Sequence, residues 1–515
     1  MMALFGGGKP DHPMADLKQA RKLIAELPAD DPLKALDEAT FWLDSINRTE
    51  GFKLDYRYEL YDLLDKAAKI HHRKLSHEYL TTARQEKFRE NKLWNAIFEF
   101  WKTLGSAYNQ CVEQFQAGMS GAGAIKKDLP AIIARALRAL TLQLKWALLR
   151  YGPVDNRVWG ELGRQYLFAE AKRMAAAPTD IYPGAHGQGT VQQEFLKSMM
   201  LSISSTDGLT PIKQEIAERA VAHFGSMYTM RPKLSAGCNY CFDLSMRKPP
   251  ARFLRTIEST STMRYFGAGD ALNALQHLIQ EIKTKGGVPS HINLGGVYDA
   301  GLVLSVMQHL EMYWSDNPPA RSSERRKTAT RMTVVHGFQN MLHSIEPAAD
   351  DNSLDFQAQD GSESWVVENV SEGGFGAIIP PVKGDWIEVG NLLAVLTESA
   401  QRWGAGVVRR ITRDEFQQRR VGIQVLSSAV IPVKLAPAGT ISSFNATREG
   451  DPALLLSTAP DKNGEVALLL RAGSFTSGQA LDMNVRGKQY YLMPSKMAEG
   501  GDDFDWAKFK VMRRT

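Results

Sequence analysis

The chain holds only three cysteines in 515 residues, Cys111, Cys238 and Cys241. Three thiols cannot form a disulfide framework, so a reducing compartment is expected. No window of about twenty residues is free of charge, which argues against a membrane-spanning helix. The first residues carry no apolar run long enough for a signal peptide. A cytoplasmic location with no membrane span is therefore expected. Neither sign of charge dominates. Against 57 Asp and Glu, the 62 Lys and Arg leave a net charge of +5, too thinly spread to call for nucleic acid.

Catalytic signatures are scarce as well. "GGGKPD" has neither the spacing nor the flanking strand of a phosphate-binding loop. "GMSGAG" is out of frame for a nucleophile elbow, and "FGAGD" offers a lone G-x-G. "CNYC" is a single C-x-x-C, and a structural zinc would need two more ligands where only scattered histidines such as His223 are near in sequence. Ordinary packing is the reading for Cys238 and Cys241. In "KIHHRKLSH", His71, His72 and His77 point in different directions on a helix and are expected on a solvated face. No acid, base and nucleophile converge, so neither an enzyme nor a metal or cofactor site is expected.

What is present changes character near residue 315. Before it, apolar residues recur at helical spacing. "DDPLKALDEATFWLDSIN" offers Asp31 as N-cap and Pro32 at the first helical position, with Leu33, Leu36, Leu43 and Ile46 on one face. Trp94, Ile97, Trp101, Leu104, Cys111 and Phe115 repeat the pattern and read as core. "SGAGAIKKDLP" reads as a hinge between two helical subdomains, 1–120 and 121–315. Beyond it, Arg135, Arg138, Lys145 and Arg150 share one side of a helix, expected to be a solvated face or a docking surface for an acidic partner. Trp159, Leu162, Gly163 and Tyr166 match the W-x2-L-G-x2-Y start of a tetratricopeptide helix, but no second copy follows.

After a basic linker, 316–332, short β-rich runs are separated by Gly, Pro, Asn and Asp, as in a small barrel or sandwich. They divide into modules at 333–435 and 436–515. The fold class expected is multidomain α + β, a large all-α region followed by β modules. Within the first module, "WVVENVSEGGFGAIIP" interrupts a strand with Asn369, Ser371 and Gly374 in the pattern N-x-S-x-x-G. An Asn and a Ser two apart on extended chain face one side and can reach one base, while Gly374 permits a tight turn. Upstream, "RSSERRKTATR" supplies Arg321, Arg325, Arg326, Lys327 and Arg331. Arginine's planar fork grips phosphate and hydrogen-bonds or stacks on guanine.

These two motifs, with "GAGVVRRITRDEFQQRRVGIQVLS" as closing strands, resemble the PilZ family of bacterial cyclic di-GMP receptors over residues 320–435. Members carry R-x-x-x-R before a six-stranded barrel and [D/N]-x-S-x-x-G on the next strands. Arg321 and Arg325 have that spacing, Arg326 and Arg331 are one residue too far apart, and Lys327 and Arg331 have it with a lysine substituted. The resemblance implies an antiparallel six-stranded barrel that binds cyclic di-GMP through Arg321, Arg325, Arg326, Arg331, Asn369, Ser371 and Gly374. It also implies an effector whose helical region meets protein partners. The alternative is a ligand-free PilZ-like scaffold. The helical region is assigned to no family by these residues.

Overall fold

The computed structural model describes residues 10–513 except 83–85, 183–186, 320–323, 346–360, 381–385, 439–449, 458 and 486–487. The chain divides into two units, Met1–Pro319 and Ala320–Thr515.

Among the described residues the first unit begins with eight α-helices. These are α1 (Leu17–Ala25), α2 (Pro32–Arg48), α3 (Leu54–Thr81), α4 (Lys87–Gln116), α5 (Leu129–Leu148), α6 (Asn156–Ala171), α7 (Val191–Ile203) and α8 (Pro211–His223). Their starts follow local chemistry. The Asp31 carboxylate accepts from the Lys34 amide with Pro32 opening α2, and Thr190 and Gln193 form a reciprocal capping box on α7. Leu33, Leu36, Leu43 and Ile46 are buried, as their spacing requires. A small antiparallel sheet follows, with β1 (Thr229–Arg231), β2 (Tyr240–Asp243), β3 (Ala251–Arg252) and β4 (Met263–Gly267) in the order β1-β4-β2-β3. The helical reading does not anticipate it, because strands this short are below the length at which alternation registers. Two helices complete the unit, α9 (Asp270–Lys285) and α10 (Ala300–Trp314).

One hydrophobic core runs from Met14 to Trp314, so α4 and α5, on either side of the glycine-rich stretch at 120–130, pack into the same interior. Trp159, Leu162 and Tyr166 are buried, and a Cβ on Gly163 would fall 2.2 Å from the Leu244 carbonyl oxygen. The W-x2-L-G-x2-Y spacing therefore serves close approach of the chain leaving β2. Cys238 and Cys241 are buried free thiols beside Met263 and Tyr265.

The cationic side of α5 is a correction to the sequence reading. Arg135 and Lys145 are only 2% and 5% exposed. Arg135 pairs with Asp62 at 2.6 Å, Arg138 with Glu194 at 2.9 Å, and Lys145 with both Glu215 and Glu218. Carboxylates from α3, α7 and α8 turn an apparent surface into an internal charge network. The histidines differ too: His71 is buried and His72 packs edge-on against Trp101 at 4.8 Å.

The second unit is two closed six-stranded antiparallel barrels. The first contains β5 (Arg326–His336), β6 (Glu363–Ser371), β7 (Gly374–Ile378), β8 (Leu392–Thr397), β9 (Gly404–Arg413) and β10 (Arg419–Ser427), in the order β10-β7-β6-β5-β8-β9. A short helix, α11 (Phe338–Ile345), follows β5. The second barrel contains β11 (Ile431–Pro437), β12 (Asp451–Leu455), β13 (Glu465–Arg471), β14 (Leu481–Val485), β15 (Lys488–Gly500) and β16 (Phe504–Arg513), in the order β11-β12-β13-β16-β15-β14. Phe338, Met341, Leu342 and Ile345 of α11 join Leu392 and Val407 to Leu454, Leu469 and Phe504 in one cluster. That cluster fastens the barrels together and covers the β8–β9 side of the first. Val335 of β5 joins the same cluster, so among the described residues the outer faces of β6, β7, β10 and the 326–331 part of β5 remain for other use. Closure removes the unpaired sheet edges that would otherwise invite association.

Candidate functional site

The N-x-S-x-x-G stretch is a hairpin. Ser371 ends β6, Gly374 begins β7, and the two are paired across a two-residue turn of Glu372 and Gly373. The Ser371 hydroxyl donates to the Gly374 carbonyl at 3.3 Å, closing that turn.

Pairing registers decide which side chains face outward, because residues directly opposite on antiparallel strands share a face. Val367 pairs with Ala377, Ala377 with Val421 and Val421 with Ile411, and all four are buried, so this row faces the barrel interior. Strict alternation would then turn Asn369 inward as well. It does not, because the register shifts between Val367 and Asn369, leaving Glu368 as an extra residue on β6. This β-bulge changes the parity of the strand. Asn369 instead stands in the row Lys327–Asn369–Gly376–Gly422–Arg410, on the outer face. Arg331, opposite the exposed Val366, belongs to that face too.

Asn369 rests on a bare floor. A Cβ on Gly376 would sit 2.6 Å from both Oδ1 and Nδ2 of Asn369, so only glycine lets the amide lie there. The Asn369 Oδ1 is buried with no hydrogen-bond partner among the described residues. A buried acceptor left empty is costly unless something else fills it. At Gly374 a Cβ would fall 2.1 Å from the Ile423 carbonyl oxygen, so this glycine permits close approach of β7 and β10.

The cations on this face fall into two kinds. Arg420 is engaged by Glu368 at 3.1 Å and Asp414 at 3.2 Å. Lys327 and Arg331 are exposed and make no side-chain hydrogen bond or ion pair among the described residues. Arg326 pairs with Val370 and so takes the opposite face from Asn369, at the barrel mouth. Arg325 is exposed just before β5, and Arg321 lies outside the described residues. The structure thus brings together Asn369, Lys327 and Arg331. Gly376, Gly422 and Arg410 join them without having stood out in the sequence. The one legible signal was the third glycine of "GGFG".

Among the described residues no group of three or more His, Cys, Asp or Glu could hold a metal ion. No described helix is long and apolar enough to cross a membrane. The outer face as built can accept a ligand with hydrogen-bond donors, a flat ring and negative charge.

Residues 18–233, most of the helical unit but under half of the chain, match a protein family described as the cyclic-di-GMP receptor FimW, N-terminal domain. No curated protein matches the chain. The similarity falls on the helices that the sequence reading assigned to no family, and that family is described as a receptor.

Proposed function

We propose that the chain is a cytoplasmic cyclic di-GMP effector whose first barrel is a PilZ-type module binding the nucleotide on the outer face of β5, β6, β7 and β10. Asn369 carries the reading. A bulge turns it outward, glycine underlies it, and its buried Oδ1 lacks a partner. The N–H donors on a guanine edge are what such an acceptor takes. Lys327 and Arg331 have the i, i+4 spacing of a clamp, stand on the same face, and suit the two phosphates of the ligand. Gly376 and Gly422 leave backbone on which a purine can lie. The receptor family matched by the helical unit supports the identity of the messenger. In this reading the helical unit meets protein partners, and nucleotide binding biases that contact.

A second reading, a ligand-free scaffold, is favoured by one observation: the Ser371 hydroxyl is engaged by its own turn. Isothermal titration with cyclic di-GMP separates the two. Effector function requires binding by the native chain and at least tenfold weaker binding in Asn369→Ala and Lys327→Ala. Absence of both heat and a melting shift at saturating nucleotide selects the scaffold.

A further inference from the structure

The helical unit contains a second place built for a ligand. A cavity of about 410 Å³ opens among α3, α4, α5, α7 and α8. This lies within the range of about 300–1,000 Å³ over which proteins enclose small molecules.

Its walls hold more positive than negative charge. Arg138 and Lys197 share a single carboxylate, Glu194, at 2.9 and 2.7 Å. Lys145 and Arg219 share Glu215 and Glu218. Two further cations of the lining, Lys69 and Arg73, are exposed at its mouth and make no ion pair among the described residues. The remaining carboxyl, Asp65, accepts from the hydroxyls of Tyr108 and Tyr182 at 2.6 and 2.9 Å. Burial raises its pKa, which the two hydroxyls only partly oppose, and this suppresses its charge. Six cations therefore face the three carboxylates that four of them pair with, an excess of three. A low-dielectric hollow with that excess concentrates anions.

Part of the lining is apolar. Phe100, Trp101, Leu142 and Leu201 form it, and His72 stands edge-on to Trp101. A phosphate monoester carries about −1.5 to −2 charge near neutral pH. It therefore answers an excess of this size better than a single carboxylate does, and the aromatic wall suits a base.

We infer that this cavity is a binding site for a mononucleotide, with the phosphate at the mouth between Lys69, Arg73 and Lys197 and the base against Trp101. The site is separate from the barrel face and does not rest on the reading proposed for it.

The experiment is calorimetric titration of the full chain with GMP and with AMP. One site per chain is expected for at least one nucleotide. Affinity should fall at least tenfold in Lys69→Ala and in Arg73→Ala, exposed positions whose loss leaves the fold intact by melting. Asn369→Ala, on the barrel, should bind the mononucleotide as the native chain does. The inference is overturned by no heat at millimolar nucleotide, by unchanged affinity in both mouth variants, or by loss of binding in Asn369→Ala. Inorganic phosphate binding as tightly as the nucleotide would also overturn it, by showing no place for the base.

Discussion

The amide of Asn369 lies flat over Gly376, within 2.6 Å of where a Cβ on that glycine would stand. The two residues are paired across β6 and β7, so the contact is fixed by register and not by chance of rotamer. Gly376→Ala should push the amide aside while leaving the strands paired, since the atoms displaced end a side chain. Cyclic di-GMP affinity is expected to drop about tenfold, the loss of roughly one hydrogen bond, with a melting temperature close to native. Calorimetry and a thermal melt on the same sample check it, and native affinity in the variant would refute the role given to Asn369.

Gly374→Ala should behave in the opposite way. Its Cβ would meet the Ile423 carbonyl, which belongs to the β7–β10 ladder and cannot swing clear. A stability loss of about 1–3 kcal/mol is expected, the usual cost of forcing backbone apart. Denaturant unfolding measures it; a change of a few tenths would show that the strands yield.

Lys145 is buried between Glu215 and Glu218 at 2.6 and 2.7 Å. Lys145→Met would strand buried carboxylates with less compensation, a change that costs about 3–5 kcal/mol when a buried pair is broken. Chemical denaturation should report that loss. It should shrink on acidification, as the carboxyls protonate and no longer need the lysine.

Acid should weaken the helical unit in two steps. Burial, with Lys145 and Arg219 close by, lowers the His72 pKa from 6.5 to about 3. Burial pushes Glu194 up, but Arg138 and Lys197 outweigh it and hold the carboxyl at about 2 instead of 4.5. Both groups bind protons more readily when unfolded, so stability falls with pH, through His72 from 6.5 downward and through Glu194 below 4.5. Asp65, whose pKa is raised, acts in the other sense, so the informative quantity is a difference between variants. Melting curves of His72→Gln should be flatter than native between pH 6.5 and about 3 and parallel to it above pH 6.5; parallel curves throughout would exclude His72 as the upper step.

The barrels are also joined by Arg409 of β9 and Glu499 of β15, a two-pronged pair with both contacts at 2.6 Å. A double-mutant cycle with Arg409→Ala and Glu499→Ala should give a coupling of roughly 1 kcal/mol, the scale of a partly exposed pair in good geometry. A coupling of zero would leave the junction to the α11 cluster and the Phe338 amide that donates to Asp503 at 2.6 Å.

Much of this architecture is legible in the residues. The helix starts at Asp31 and Pro32, the core stripe from Leu33 to Ile46, the change of texture near 315 and the turn after Ser371 all rest on near neighbours in the chain. Local sterics, capping and periodicity act over a few residues and leave their mark in order. The four-stranded sheet was missed because its strands are short and β4 is buried throughout, with no alternation to read.

Three matters belonged to the tertiary structure alone. The cations of α5 look like a surface until Asp62, Glu194, Glu215 and Glu218 arrive from other helices. Asn369 and Ser371 look like a matched pair facing one ligand, yet the serine closes its turn while a bulge at Glu368 sets the face of the asparagine. Lys327, not Arg326, stands beside Asn369 because strand register assigns it there. Periodicity along one chain says which residues share a face. Which partner covers that face, and where a bulge reverses it, depends on strands and helices far apart in sequence, and only their packing decides it.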